Sequence, residues 1–349
     1  MLRFYEFDYF SILVVIAIVC LYLFSFYFKG AQFHGNETCK DRLYVVTGAN
    51  SGIGKKIVRE LNCGGAVVYM ACRSKERGYS AIDDLVKVGC SADRLRILQL
   101  DQSSLASVRA FVDELKGLTD TVDGIVLNAG VMYVPKYWLT KDGHEYIWEV
   151  NYVSTVLLSE SLLPLLKKCR DVGRIVIVSS NAHRWINDLN IYEIDRPNYW
   201  NSVKAYGRSK LAQVMYTVIR ALMLRRERKL VTINACHPGV INTPLLLQLP
   251  ILDNSTVQSL LAPFLWYFLK DSKEETQTPL YCLLSKEVDY VSGKYFCEMK
   301  QDEVNPLVGK GELRQRLLEY RFQACKLIKS DRERLIDLYF KYHGYFRYG

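Results

Sequence analysis

A phenol and a primary amine stand four residues apart in Tyr206-Gly207-Arg208-Ser209-Lys210, a spacing that puts both on one face of a helix. A neighbouring ammonium stabilises phenolate and draws a tyrosine pKa down from ~10 toward neutrality. That is the property needed in a general acid or base for alcohol–carbonyl exchange. The same four-residue spacing recurs at Tyr137/Lys141 and Tyr290/Lys294, so position must separate the three. Only Tyr206 lies between an apolar run ending at Ser180 and another leading to Pro238. Only Tyr206 is followed by a long helical pattern, through Leu211, Val214, Met215, Val218 and Leu222. The other two pairs are expected at the surface.

A second group of residues is suited to holding phosphate. Leu43–Val46 is a buried-strand pattern that runs directly into Thr47-Gly48-Ala49-Asn50-Ser51-Gly52-Ile53-Gly54, and then into a helix with Ile57, Val58 and Leu61 on one face. Gly48 and Gly52 let the backbone turn tightly and approach a pyrophosphate, whose charge meets the N–H groups at the helix start. Gly54 lets helix and strand pack closely. The spacing is G-x-x-x-G-x-G rather than G-x-G-x-x-G, and taken alone it is compatible with an ordinary strand–helix turn. The next strand, Ala66–Ala71, ends in Cys72-Arg73 with no Asp or Glu. An acidic residue at this point favours the ribose 2′-hydroxyl of NAD, whereas Arg73 backed by Lys55 favours the 2′-phosphate of NADP(H). The competing reading of Arg73 is a solvated surface arginine.

The elements that must position these groups are legible as an alternation. Further apolar runs lead into Asp101 (from Leu95), Asn128-Ala129-Gly130 (from Gly124), Ser179-Ser180 (from Arg174) and His237-Pro238-Gly239 (from Val231), with helical stretches between them. This pattern argues an α/β fold, a doubly wound parallel sheet of Rossmann type in one domain. Ligands bind outside the carboxyl ends of such strands, and Gly48, Arg73, Asp101, Asn128, Ser180 and Pro238 all fall at those ends.

Composition fits such an enzyme and excludes other classes. Of 349 residues half are apolar and 24% charged, which rules out disorder, collagen and a disulfide miniprotein. Ten cysteines without C-x-x-C suit a reducing compartment, and five dispersed histidines offer no metal cluster. The net charge of +9 is concentrated at the end: residues 310–349 hold ten Lys/Arg against five Asp/Glu, which is no nucleic-acid groove. Residues 10–28 form an uncharged apolar run, read as a membrane span in preference to a signal peptide, since no basic region precedes it and no A-x-A site follows. Lys29, Lys40 and Arg42 after the span against Arg3 before it favour a cytosolic body. The expected organisation is an anchor and linker over 1–40, a catalytic domain over 41–300, and a basic, helical tail over 301–349.

The ordered set of motifs resembles the short-chain dehydrogenase/reductase superfamily, most closely its membrane-associated, retinol-dehydrogenase-like branch. The resemblance rests on T-G-A-N-S-G-I-G at 47–54, A-C-R at 71–73, L-D at 100–101, L-N-A-G at 127–130, V-N at 150–151, V-S-S at 178–180, Y-G-R-S-K at 206–210 and H-P-G-x-x-x-T at 237–243. Leu127 stands where the family usually has a first Asn. The resemblance implies catalytic roles for Tyr206 in proton exchange, Lys210 on the Tyr206 pKa and the nicotinamide ribose, Ser180 on the substrate oxygen (with Ser179 as the register alternative), and Asn151 in a water relay. It implies NADP(H) contacts by Gly48, Asn50, Ser51, Gly52, Ile53, Gly54, Arg73, Asp101, Asn128, Tyr206, Lys210, Pro238, Gly239 and Thr243, with no metal. The apolar stretch 257–269, too short and Pro-broken to be a second span, is expected to line a lipid-sized pocket, touch the membrane surface or simply pack. The implied function is interconversion of a lipophilic alcohol with its aldehyde or ketone (retinoid, steroid or isoprenoid) at the endoplasmic reticulum or lipid-droplet membrane. The alternative is a non-catalytic, membrane-tethered NADP-binding scaffold.

Overall fold

Strands rich in Val and Ile, apolar on both faces, can be stable only between two layers of helices, and the computed structural model has that arrangement. It describes residues 33, 39–227, 230–239 and 276–327. The expected span over 10–28, Thr243, the stretch 257–269 and the end of the tail from 328 lie outside the described residues. Among the described residues no helix is long and apolar enough to cross a membrane.

The strands are β1 (Leu43–Thr47), β2 (Val67–Cys72), β3 (Leu95–Gln99), β4 (Gly124–Leu127), β5 (Gly173–Val178), β6 (Val231–His237), β7 (Tyr295–Cys297) and β8 (Lys300–Gln301). They form one sheet in the order 3-2-1-4-5-6-7-8. β1 to β7 are parallel and the two-residue β8 turns back antiparallel on β7; neither β7 nor β8 was anticipated from the sequence. The helices are α1 (Gly52–Cys63), α2 (Lys75–Lys87), α3 (Leu105–Leu118), α4 (Ser154–Leu166), α5 (Ser202–Arg226), α6 (Gln277–Leu284) and α7 (Gly311–Ala324). A helical turn, Tyr146–Trp148, widens through a π-helical stretch, Glu149–Val153, before α4 begins.

Alternation along each strand divides the core in two. Val45, Ile125, Ile175 and Ile233 face the layer of α3, α4, α5 and α7, whereas Val46, Val126 and Val176 face α1, α2 and α6. Both faces are dry, so the register of each strand is set by packing on two sides at once. Helix α5 is buried almost all round, because α7 covers the side turned away from the sheet with Leu317, Leu318 and Phe322.

Residues after 300 therefore contribute to the core, and α7 is tied down by charge as well as by apolar contact. Arg321, fully buried, donates to Glu160 on α4 at 2.6 Å, and Arg220 on α5 approaches the other Glu160 oxygen at 3.3 Å. Burial alone would raise the Glu160 pKa; the two guanidiniums outweigh it and hold the carboxyl below its ordinary range. Its stabilising contribution is thus present above the usual glutamate pKa and lost as pH falls through the depressed value. Glu160→Gln, which leaves two buried guanidiniums facing each other, is expected to cost about 3–5 kcal/mol at pH 7. Urea denaturation at pH 7 and at pH 3 tests this, since the difference from wild type should shrink at the lower pH.

Candidate active site

The strand order reverses between β1 and β4, and at that point the loops leaving the two strands diverge and open a crevice. A cavity of about 680 Å³ occupies it, within the range usual for cofactor and substrate sites. Its walls include Gly48, Asn50, Ser51, Gly52 and Ile53 from the first turn, Arg73 after β2, and Asp101 after β3. Asn128 and Gly130 after β4, Tyr206 and Lys210 from α5, and Pro238 after β6 complete them. Among the residues expected from the sequence, Gly54, Asn151, Ser180 and Gly239 do not border it, whereas Ser179, the register alternative, does; Thr243 lies outside the described residues.

The glycine turn has the conformation that its spacing requires. Gly48 and Gly52 have φ of +63° and +52°, a region that other residues enter at a cost. A Cβ on Gly54 would lie 2.3 Å from the Gly48 carbonyl oxygen and 2.7 Å from Asn128 Nδ2. The turn is bound to the loop after β4 through Thr47, whose Oγ1 accepts from the backbone N–H of Asn128 (3.0 Å) and of Ala129 (2.9 Å). Asn128 Nδ2 donates to the Thr47 carbonyl at 2.9 Å. Thr47 is thus a positioning residue that motif matching alone did not single out. Ser51, the N-cap of α1, makes no side-chain cap bond, and the first turn of α1 has no acidic residue. Amides at a helix start next to a cavity, with no carboxylate beside them, suit a pyrophosphate. These features fit a dinucleotide.

At the β2 end the two cations expected together lie apart. Arg73 borders the cavity, but Lys55 is turned away into an ion pair with Asp84 at 2.7 Å. The second cation at this end is Arg77, one turn into α2, with the N-cap Ser74 between the two arginines. Among the described residues neither guanidinium is in an ion pair. The signal was present in Arg73-Ser74-x-x-Arg77, where a capping serine turns a helix so that its first-turn side chain returns toward the strand end. Asp101 is held by its own loop: its carboxylate accepts from the backbone N–H and the hydroxyl of Ser103.

At the opposite end, β5 and α5 bring the catalytic candidates together. The Ser180 side chain lies beside the Tyr206 phenol, near enough to draw its pKa down against the effect of burial. Ser179 instead donates its hydroxyl to the Lys210 carbonyl at 3.1 Å, so Ser180 is the register that faces the phenol. Lys210 Nζ lies 5.5 Å from the Tyr206 ring centroid and donates to the Val178 carbonyl at 2.9 Å. Asn151, within the π-helical stretch, donates through Nδ2 to the Val131 carbonyl (2.8 Å) and to Ser209 Oγ (2.9 Å), and its Oδ1 accepts from the Val131 N–H. Its amide braces the loop that faces Lys210. Of the other two tyrosine–lysine pairs, Tyr137 spends its hydroxyl on the Asp195 carbonyl and Tyr290 is 78% exposed; neither borders the cavity.

The electrostatics correct one expectation. Lys210 was expected to acidify Tyr206, but in the protein alone burial dominates both groups. It raises the phenol above its ordinary value, opposed only by the Ser180 side chain, and lowers the fully buried Lys210 to about 7. Desolvation penalises each charged form, and an amine that is half neutral at pH 7 has little charge to offer its neighbour. His237, at the end of β6, is lowered by burial and by nearby His183 to about 4 and is therefore neutral at physiological pH. Among the described residues no group of three metal-ligating side chains comes together.

Known proteins share this chain's sequence and fold. A family model described as short chain dehydrogenase matches residues 42–250. Dehydrogenase/reductase SDR family member 13 of Bos taurus is 36% identical over 294 residues, covering 83% of this chain and 75% of that one. Retinol dehydrogenase 12 of Homo sapiens is 34% identical over 302 residues, covering 86% of this chain and 91% of that one. Among solved structures, an uncharacterized protein from Mycobacterium Paratuberculosis is similar with a TM-score of 0.68 at 25% identity, covering 85% of this chain and 98% of that one. With its glycine turn, its Ser–Tyr–Lys group and these relatives, the chain belongs to the short-chain dehydrogenase/reductase superfamily of oxidoreductases, in the retinol-dehydrogenase-like branch.

Proposed function

We propose that this chain is an NADP(H)-dependent oxidoreductase that interconverts a lipophilic alcohol with its aldehyde or ketone, of the retinoid, steroid or isoprenoid class. The observation that supports it most is one continuous cavity with two arginines at one end and the Tyr206 phenol, with Ser180 beside it, at the other. The retinol dehydrogenases among the relatives support the lipophilic substrate class. The apolar run 10–28 supports tethering of the catalytic domain to a membrane of the endoplasmic reticulum or lipid droplet, on its cytosolic side.

In this reading Arg73 and Arg77 bind the 2′-phosphate, the α1 amides meet the pyrophosphate, and Lys210 reaches the nicotinamide ribose. The bound nicotinamide supplies hydride exchange at the carbon of the substrate. Tyr206, protonated across the physiological range, hands its proton to the carbonyl oxygen as negative charge develops there. Ser180 donates a hydrogen bond to the same oxygen. In the reverse direction Tyr206 must first lose its proton, and Lys210 in its charged form favours that loss. Asn151 contributes by fixing the wall opposite Lys210, and Pro238 and Gly239 would stand on the nicotinamide side.

Turnover of NADPH against a panel of hydrophobic aldehydes and ketones tests the reading. Tyr206→Phe should lower kcat by 10²-fold or more while the Kd for NADPH stays within a few-fold of wild type. Binding without Tyr206-dependent turnover on any member of the panel would leave a nucleotide-binding scaffold. Arg73→Asp should reduce the preference for NADPH over NADH by at least about tenfold, measured as a ratio of kcat/KM; an unchanged ratio overturns the phosphate assignment. Because oxidation needs the Tyr206 phenolate beside a charged Lys210, which loses its proton around pH 7, alcohol oxidation should rise with pH up to about 7 and level off above it. Carbonyl reduction, measured over the same range, should lack that rise.

A further inference from the structure

Ser180 is held by a weak piece of backbone. It is the N-cap of a five-residue 3₁₀ turn, Asn181–Trp185, and its hydroxyl accepts from the Ala182 N–H at 3.2 Å. Its carbonyl accepts from the His183 N–H at 3.2 Å and hydrogen-bonds His183 Nδ1 at 2.6 Å. A 3₁₀ turn of this length has strained hydrogen bonds and depends on outside support. On one side α5 presses against it: a Cβ on Gly207, the residue after Tyr206, would meet Ile186 Cδ1 at 2.7 Å and the Ala182 carbonyl at 3.1 Å. The separation of the two catalytic hydroxyls is therefore set by where this turn sits against α5.

On its other side the turn is gripped by residues 295–307. Tyr295 donates its hydroxyl to Asn181 Oδ1 at 2.8 Å, and the His183 ring packs edge-on against the Tyr295 ring at 4.6 Å. Arg184 pairs with Asp302 at 2.7 Å and donates to the Glu303 carbonyl at 2.6 Å. At the centre is Asn305, 4% exposed. Its Nδ2 donates to the carbonyls of His183 (2.9 Å) and Ile186 (2.7 Å), while its Oδ1 accepts from the Leu307 N–H at 2.8 Å. A primary amide has two N–H donors, and both are used on carbonyls that the 3₁₀ turn leaves over. Asp in the same place would present oxygen to those carbonyls in place of both donors.

We propose that Asn305 is a positioning residue for catalysis: by tying off the turn at His183 and Ile186 it fixes where Ser180 sits relative to Tyr206. The inference rests on the catalytic reading given above. It places a determinant of the reaction in the segment after residue 300, far in sequence from every motif that identifies the family.

The test is a double-mutant cycle on the full-length protein, using NADPH and whichever carbonyl of the panel wild type reduces fastest. Asn305→Asp should lower kcat about tenfold or more with the Kd for NADPH unchanged, because the glycine turn and the two arginines lie across the sheet. Ser180→Ala should lower kcat too, and adding Asn305→Asp to it should cause little further loss, since the serine to be positioned is gone. Tyr295→Phe, which removes only the hydroxyl on Asn181, is the milder variant should Asn305→Asp fail to fold. It should give a kcat loss of a few-fold, again absent in the Ser180→Ala background. Losses that multiply in the double variants, or a kcat left at the wild-type value by both single variants, overturn the positioning role. A Ser180→Ala protein as active as wild type overturns instead the catalytic reading on which it rests.

Discussion

The reversal of strand order at β1 and β4 is the constraint on which the site depends. Parallel strands on either side of that point send their connections to opposite faces of the sheet, so the space above the carboxyl ends is left without a covering helix. A gap of this kind is useful only if its two lips hold still. Thr47 supplies that rigidity by accepting two N–H groups from the far lip and returning its carbonyl to Asn128. The close approach of Gly54 to the Gly48 carbonyl depends on the same bond set, because Asn128 Nδ2 occupies the remaining space.

The chemistry follows from how deeply the other end is buried. Tyr206 and Lys210 are both buried on α5, and each therefore favours its neutral form. A neutral phenol beside a half-charged amine is an arrangement set for giving a proton away. The positive charge that would reverse this bias is held in reserve on Lys210, whose ammonium has the Val178 carbonyl as its acceptor.

Much of this was legible in the sequence, and the reasons differ by region. β1 to β6 were read to within a residue or two because both faces are apolar, and β-branched runs ending in glycine or polar residues leave little choice; the short β7 and β8 carry too few residues for such a pattern. The location of the cavity followed from that, as did the register alternatives Ser179 and Ser180, which needed the side chains to decide between them. Lys55 misled because a lysine in the glycine turn looks available for phosphate, whereas a carboxylate near the end of α2, Asp84, was close enough to capture it. Arg77 and Thr47 escaped because their roles depend on how a cap turns a side chain and on which loop lies opposite. The acidification of Tyr206 was argued from charge alone; burial of the lysine itself could not be weighed without knowing that α5 is enclosed. Residues after 300 read as a basic tail because Arg321 counts toward net charge, although its charge is spent inside the fold.

The bond between Asn305 and His183 joins residues 122 positions apart. On a ribosome, the glycine turn and the first five strands can emerge and pair while the segment that secures the serine turn is still being made. Contacts of such long sequence separation form late and slowly. The capacity to grasp a nucleotide should thus arise in the growing chain before the capacity to reduce anything with it, and the final stretch of translation converts a binding fold into a working one.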